Sequence, residues 1–337
     1  MRFPKFTPNF IFLKYLVPHT PLQILCCTAM VSSQICFMRP VLSPALSQKM
    51  SQKISQQMVS TKTAIAPVDS FGELKNQGQN RTYYLHTPLS GNNDRPRPLV
   101  IALHESAGKG KIMADHTGLN RLADRSNFIV AYPDALKGKW NVSGRALENN
   151  VTFVHDLITE LKSKANIDSQ RIYIVGLSNG GILAQKLACE NPDGIAAVAT
   201  VAASLPVQFQ DHCQSHTAVS VMMINGTADD IVPWEGGSPP MVHVGRGLSI
   251  PPIADVIDFW QQHNHCKTTP TVKRREDDRV EESNYVTCEA SSEVSLVALK
   301  GAGHVWSGGN YGTSEYLDAG EAAWAFFQRH TLSQLKS

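Results

Sequence analysis

Residues 171–184 read RIYIVGLSNGGILA. Arg171 to Val175 is a short, mostly β-branched apolar run, the composition of a buried strand. From Gly180 the chain reads as a helix that continues to about Cys189. Between them stands G-L-S-N-G at 176–180, a G-x-S-x-G pattern. Alone, that pattern recurs by chance. At a junction from buried strand to helix it matches a nucleophile elbow, a strained turn that lifts a serine hydroxyl to the top of a sheet. Gly176 and Gly180 then let strand and helix backbones approach, with Gly181 adding room. Ser178 is the candidate nucleophile, and the Asn179 N–H, at the helix N-terminus, is a candidate oxyanion donor. Without chemistry, the same stretch would be a glycine-rich turn with a capping serine.

Apolar runs of strand length lie on both sides of this junction. They are RTYYLHTP (81–88), RPLVIALHES (97–106), NFIVAYPD (127–134), IAAVATVAA (195–203), VSVMMING (219–226) and EVSLVALKG (293–301). Stretches with helical spacing fall between them, most clearly 151–166, where Val151, Val154, Leu157, Ile158 and Leu161 recur at three and four. Further helices are expected over 113–126, 253–263 and 315–330. Alternating strands and helices predict an α/β fold with a mostly parallel central sheet flanked by helices. The run KRREDDRVEE (273–282) mixes both charge signs and reads as a solvated loop or hairpin.

A serine hydroxyl near neutral pH needs a base, and the base needs an orienting acid. In such a sheet the acid and then the base follow the serine, each on a loop after a strand. MMINGTADDIVPW leaves a strand and presents Asp229 and Asp230; ALKGAGHVWSGG leaves the last strand and presents His304. His155 sits within a helix, and His212, His216, His263 and His265 lie beside cysteines without metal-finger spacing, so no metal site is expected. The second oxyanion donor should come from IALHESAG (101–108), as the N–H of Ser106 or Glu105, with His104 bracing the loop. Trp306 and Trp140 are candidates for lining a substrate pocket, beside the alternative of core or rim aromatics, and His104 is counted with them as a candidate substrate contact.

The 337 residues are 42% hydrophobic and 18% charged with a net charge of +2, a composition that supports a sizeable core and calls for no nucleic-acid partner. Lys5 and Lys14 precede an apolar stretch, Pro21 to Met38, and then small polar residues, the pattern of a secretory signal. Ser, Thr and Gln interrupt that stretch, which is short for a membrane anchor. The expected organisation is a signal-like leader over 1–47, a disordered spacer over 48–69 and one catalytic domain over 70–337, with Met30 or Met38 as alternative starts. Secretion, with the periplasm as a variant, leaves the mature chain without stable membrane insertion. Four of the seven cysteines lie in the body, Cys189, Cys213, Cys266 and Cys288. Three pairings are possible, and neighbourhood favours Cys189–Cys213 with Cys266–Cys288.

Five ordered motifs together resemble the secreted esterases of the polyhydroxybutyrate depolymerase and feruloyl esterase family. They are PLVIALHESAG, AYPDALKGKWNV, RIYIVGLSNGGILAQKLACENPDGIAAVATVAA, INGTADDIVPWEGG and GAGHVWSGG. The resemblance implies an α/β-hydrolase fold with Ser178 as nucleophile, Asp229 rather than Asp230 as acid and His304 as base, and the same two disulfides. It implies no cofactor, no metal and a monomer. The implied substrates are hydroxyalkanoate esters or oligomers, or alternatively feruloyl or acetyl esters on plant polysaccharide. A peptidase of the same fold and a non-catalytic binding module are the rival readings. The chain departs from the family pattern at Glu105, where glycine is usual, at Asn225-Gly226, where His-Gly is usual, and at Asn149-Asn150, where an acidic pair is usual.

Overall fold

The computed structural model describes residues 68–88, 95–141, 145–211, 213, 215–237, 249–267, 269–275, 277–310 and 316–335, with backbone alone for 145–148. The expected leader and all but the last two residues of the expected spacer lie outside them. Ten strands form one sheet in the order β1-β2-β4-β3-β5-β6-β7-β10-β9-β8. They are β1 (Val68–Asn76), β2 (Gln79–Thr87), β3 (Arg97–Leu103), β4 (Ile129–Pro133), β5 (Ile167–Leu177), β6 (Ala197–Val201), β7 (Ser220–Gly226), β8 (Thr271–Arg275), β9 (Val280–Tyr285) and β10 (Val294–Leu299). The six central strands are parallel. They are also the strands with near-continuous apolar sequence, because helices cover both of their faces.

Helices α1 (Gly110–Thr117), α2 (Leu119–Ser126) and α7 (Ala319–Phe327) carry the core on one face. Helices α3 (Arg145–Lys164), α4 (Asn179–Glu190) and α6 (Ile253–His263) carry it on the other; α5 (Val207–Gln210) is a single turn. Among the described residues no helix is long and apolar enough to cross a membrane. Disulfides join Cys189 to Cys213 and Cys266 to Cys288, the pairing that neighbourhood favours. Each closes a loop of 24 or 22 residues, a constraint worth about 3 kcal/mol through the entropy of the unfolded chain.

Antiparallel strands complete both edges. The charged run at 273–282 is a hairpin: Arg274 on β8 pairs with Glu281 on β9, and Arg275 with Glu282. β1 is a correction to the sequence reading, which assigned its first two residues to the spacer. Its polar pattern hides a strand that pairs residue for residue with β2, from Val68 opposite Thr87 to Asn76 opposite Gln79. The buried His86 imidazole secures it, meeting Asp69 of β1 at 2.7 Å and Asp124 of α2 at 3.2 Å.

The Asn149-Asn150 departure also has a visible counterpart. Asn150 is buried and accepts from Arg81 Nη2 at 3.3 Å, a neutral partner for a buried guanidinium. Arg81 lies 3.7 Å above the Phe153 ring, and burial pulls its pKa down to about 10.

Candidate active site

β5 and α4 are joined by one residue, Ser178, whose φ of 52° and ψ of −117° lie outside the regions an L-residue prefers. Such a conformation costs about 1–3 kcal/mol and persists only where the surroundings over-determine it. Here they do. The Ser178 N–H donates to Val201 O of the neighbouring β6 at 2.9 Å, and Ser178 O accepts from Ile182 N at 3.0 Å as α4 begins. A Cβ at Gly176 would stand 2.4 Å from Gly180 O, and one at Gly180 2.1 Å from Leu103 O. Strand, elbow and the end of β3 therefore touch backbone to backbone, which only glycine permits.

Asp229 and His304 reach the serine because β7 and β10 are parallel neighbours, with Gly226 in register with Leu299. The loops that leave them are stitched together: Thr227 N donates to Leu299 O at 3.0 Å, Ala228 N to Ala302 O at 2.9 Å, and Gly301 N to Thr227 Oγ1 at 2.8 Å. Asp229 is buried, whereas Asp230 is exposed. Asp229 Oδ1 accepts from Ile231 N and Val232 N, both at 2.8 Å, which leaves Oδ2 facing His304 Nδ1 at 2.8 Å. A carboxylate only accepts, so Nδ1 carries the ring proton and Nε2 is left as an acceptor. Ser178 Oγ lies 2.9 Å from that Nε2. Hydroxyl, imidazole and carboxylate thus form one chain of hydrogen bonds that can draw a proton from the serine.

The loop after β3 is held with equal detail. The buried His104 ring accepts the Ala135 N–H at Nε2 (3.0 Å), so its Nδ1–H donates to Glu105 O (2.6 Å). Glu105 and Ser106 are half-buried on this loop. The Glu105 carboxyl folds back over Gly108: a Cβ there would lie 3.1 Å from Glu105 Cδ. The Trp140 indole N–H donates to His104 O (2.8 Å), and the Trp140 backbone N–H donates to Asn179 Oδ1 (2.9 Å).

The expectation that Trp140 and His104 contact substrate is corrected by their burial, since both are 0% exposed and have no surface to offer a ligand. Trp306, 7% exposed, belongs to the core cluster on the α7 face rather than to a pocket wall. The structural use of the Asn179 side chain was missed by the sequence reading, and no local pattern signals it. Among the described residues no group of His, Cys, Asp or Glu could hold a metal ion. His155, His263 and His265 instead meet Asn191 O, Ser215 O and Glu289. His216 is exposed, and His212 lies outside the described residues.

Burial pulls the His104 imidazole below its ordinary value of 6.5, with the Glu105 carbonyl opposing. In the unfolded chain the ring binds its proton more readily than in the folded one. Its contribution to stability is therefore complete above about pH 6.5 and is lost as pH falls from there towards the folded value. Melting temperature measured from pH 7.5 to 5 is expected to fall less steeply in His104→Gln than in the wild-type protein. His155, lowered by burial in the same sense, leaves part of the slope in place.

Residues 81–235 match the family described as Esterase PHB depolymerase. The chain is 28% identical over 251 residues to the esterase-like protein NocK of Nocardia uniformis subsp. tsuyamanensis, covering 69% of this chain and 73% of that one. It is 27% identical over 232 residues to feruloyl esterase B of Piromyces equi, covering 67% of this chain and 42% of the relative. The match to a bifunctional acetylxylan esterase/xylanase of Neocallimastix patriciarum is 23% over 238 residues and spans 32% of that protein. Solved structures share the fold. An acetyl xylan esterase from Aspergillus awamori superposes with a TM-score of 0.57 at 15% identity, over 77% of this chain and 99% of that one. A ferulic acid esterase from Anaeromyces mucronatus gives 0.52 at 13%, over 82% and 95%. The ten-stranded sheet is thus an α/β-hydrolase sheet, and the chain is a carboxylic ester hydrolase whose residues 81–235 are similar to the esterase PHB depolymerase family.

Proposed function

We propose that the protein is a secreted serine esterase in which Ser178, His304 and Asp229 act as nucleophile, base and orienting acid. The observation that carries this reading is the hydrogen-bonded chain from Ser178 Oγ through His304 to Asp229, at 2.9 and 2.8 Å. Ser178 attacks the ester carbonyl as its proton passes to His304 Nε2. The tetrahedral oxyanion accepts from the Asn179 N–H and from one N–H of the Glu105–Ser106 segment. Collapse expels the alcohol, which takes the proton from His304. Water, deprotonated by the same ring, then attacks the acyl-enzyme and releases the acid and Ser178. No step calls for a cofactor.

Substrates are esters of hydroxyalkanoic acids and their soluble oligomers. The names of the feruloyl and acetylxylan esterase relatives support, with equal weight, a second reading: aromatic or acetyl esters on plant polysaccharide. The two disulfides support an oxidising destination outside the cytosol. The test is a panel of 3-hydroxybutyrate oligomers, methyl ferulate and acetylated xylo-oligosaccharide at equal concentration. The highest kcat/KM identifies the acyl class. A wild-type protein inactive on all three and on a short-chain nitrophenyl ester, and unlabelled at Ser178 by a fluorophosphonate, sinks the esterase reading.

A further inference from the structure

Two groups beside the serine touch no reacting atom, yet they join the two pieces of chain that supply the oxyanion donors. A trans peptide unit is planar, and its C=O and N–H point in opposite directions. Whatever grips one carbonyl therefore aims the N–H that follows it. The Trp140 indole N–H grips His104 O at 2.8 Å and so aims the Glu105 N–H. The His104 ring grips Glu105 O at 2.6 Å, assisted by Gly108 N at 3.1 Å, and so aims the Ser106 N–H. Both candidate loop donors are set in this way, one by Trp140 and one by His104.

Trp140 also reaches the other side of the site, because its backbone N–H donates to Asn179 Oδ1 at 2.9 Å. Asn179 carries the elbow donor on its own backbone. Its side chain thus binds the residue that orients the opposing loop. Trp140 is fully buried, and its ring lies 5.1 Å from the His104 ring, so none of these groups can swing into solvent. A Cβ at Gly180 would stand 2.6 Å from His104 O, which places the elbow helix directly against the same peptide unit.

We propose that the Asn179 side chain and the Trp140 indole are positioning groups that hold the loop donor of the oxyanion hole in register with the elbow donor. This rests on the serine esterase reading. The arrangement distributes one function over three segments that meet only in the folded chain: 104–106, 140 and 179. Its purpose is angular. A donor a few tenths of an ångström or a few degrees away from the developing oxyanion loses much of its effect at the transition state while leaving ground-state binding intact.

The experiment compares an ester with its thionoester, in which sulfur replaces the carbonyl oxygen. Sulfur is a weak acceptor, so its tetrahedral intermediate draws little from the donors. Rates are taken per serine labelled by a fluorophosphonate, which corrects for misfolded protein. In Asn179→Ala, whose backbone N–H is intact, kcat for the ester is expected to fall at least tenfold, with KM within about twofold. The thionoester rate is expected to fall less than threefold, so the preference for oxygen shrinks. Trp140→Phe, which removes the indole N–H with part of the ring but keeps an aromatic side chain and the backbone N–H to Asn179, is expected to shrink it likewise, and it decides the matter if the Asn179 variant fails to fold. Equal losses on both substrates, or none, would overturn the proposal. Labelling of wild-type Ser178 with an unchanged preference in the variants sinks this inference alone. Absence of labelling in the wild-type protein sinks the serine esterase reading itself.

Discussion

Ser178→Ala is expected to lower kcat for ester hydrolysis by about 10^6-fold, the size of effect that removal of a catalytic serine has elsewhere. Melting temperature should stay within about 2 °C of the wild-type value. Both halves follow from the elbow. Ser178 Oγ has one side-chain partner, His304 Nε2, and the residue is buried at the end of the sheet. Alanine removes the hydroxyl but keeps the Cβ, so the strained φ of 52° and the backbone bonds to Val201 and Ile182 are unchanged. No other hydroxyl is paired to His304 among the described residues. The activity that remains comes from binding and from the donors alone. Steady-state kinetics on a short-chain nitrophenyl ester, with a thermal melt of the same samples, checks it. A variant keeping more than about a hundredth of wild-type kcat would place the nucleophile elsewhere.

Asp229→Asn is expected to cost about 10^4-fold in kcat with the fold intact. The carboxylate makes three hydrogen bonds. Two are accepted at Oδ1 from the N–H groups of Ile231 and Val232. An asparagine must keep its oxygen on those two donors, since its NH2 would meet them hydrogen to hydrogen. The NH2 then faces His304 Nδ1 and forces that nitrogen to accept. The ring proton moves to Nε2, where it opposes the Ser178 hydroxyl instead of accepting from it. The effect is thus one of tautomer, and it separates Asp229 from its neighbour. Asp230 is exposed and makes no bond to His304, so Asp230→Asn should change kcat less than about twofold. Parallel kinetics on the two variants is the check. Comparable losses at both positions, or a loss at Asp230 alone, would remove Asp229 from its role.

Much of this architecture was legible in the residues. The six parallel strands announce themselves because a strand covered on both faces must be apolar throughout, and β3, β4, β6 and β7 are buried along their whole length. The segment of the β8–β9 hairpin was legible as a solvated loop or hairpin from its mixed charge, and the cross-strand pairs of Arg274 and Arg275 show it to be the hairpin. β1 was not, because an edge strand with Asp69, Glu73 and Lys75 along it looks like linker. Its pairing depends on β2 and on an imidazole seventeen residues away from Asp69. The substrate contact expected of Trp140 and His104 failed for a related reason, whereas the His104 ring does brace the loop after β3. A tryptophan on a loop reads as a binding residue until its N–H finds a carbonyl 36 positions earlier.

By itself, the sequence determined the order of elements, the strained serine turn, and the succession of Ser178, an aspartate pair and His304. All of these are local, set by periodicity, glycine and residue chemistry within about a dozen positions. Tertiary structure decided that the Asp229 carboxylate meets the imidazole, that Trp140 and Trp306 are both core, and how the donors beside Ser178 are aimed. Those are matters of ångströms between segments 39, 75 and 126 residues apart. Only a packed interior, where buried polar groups must find partners, settles distances of that kind.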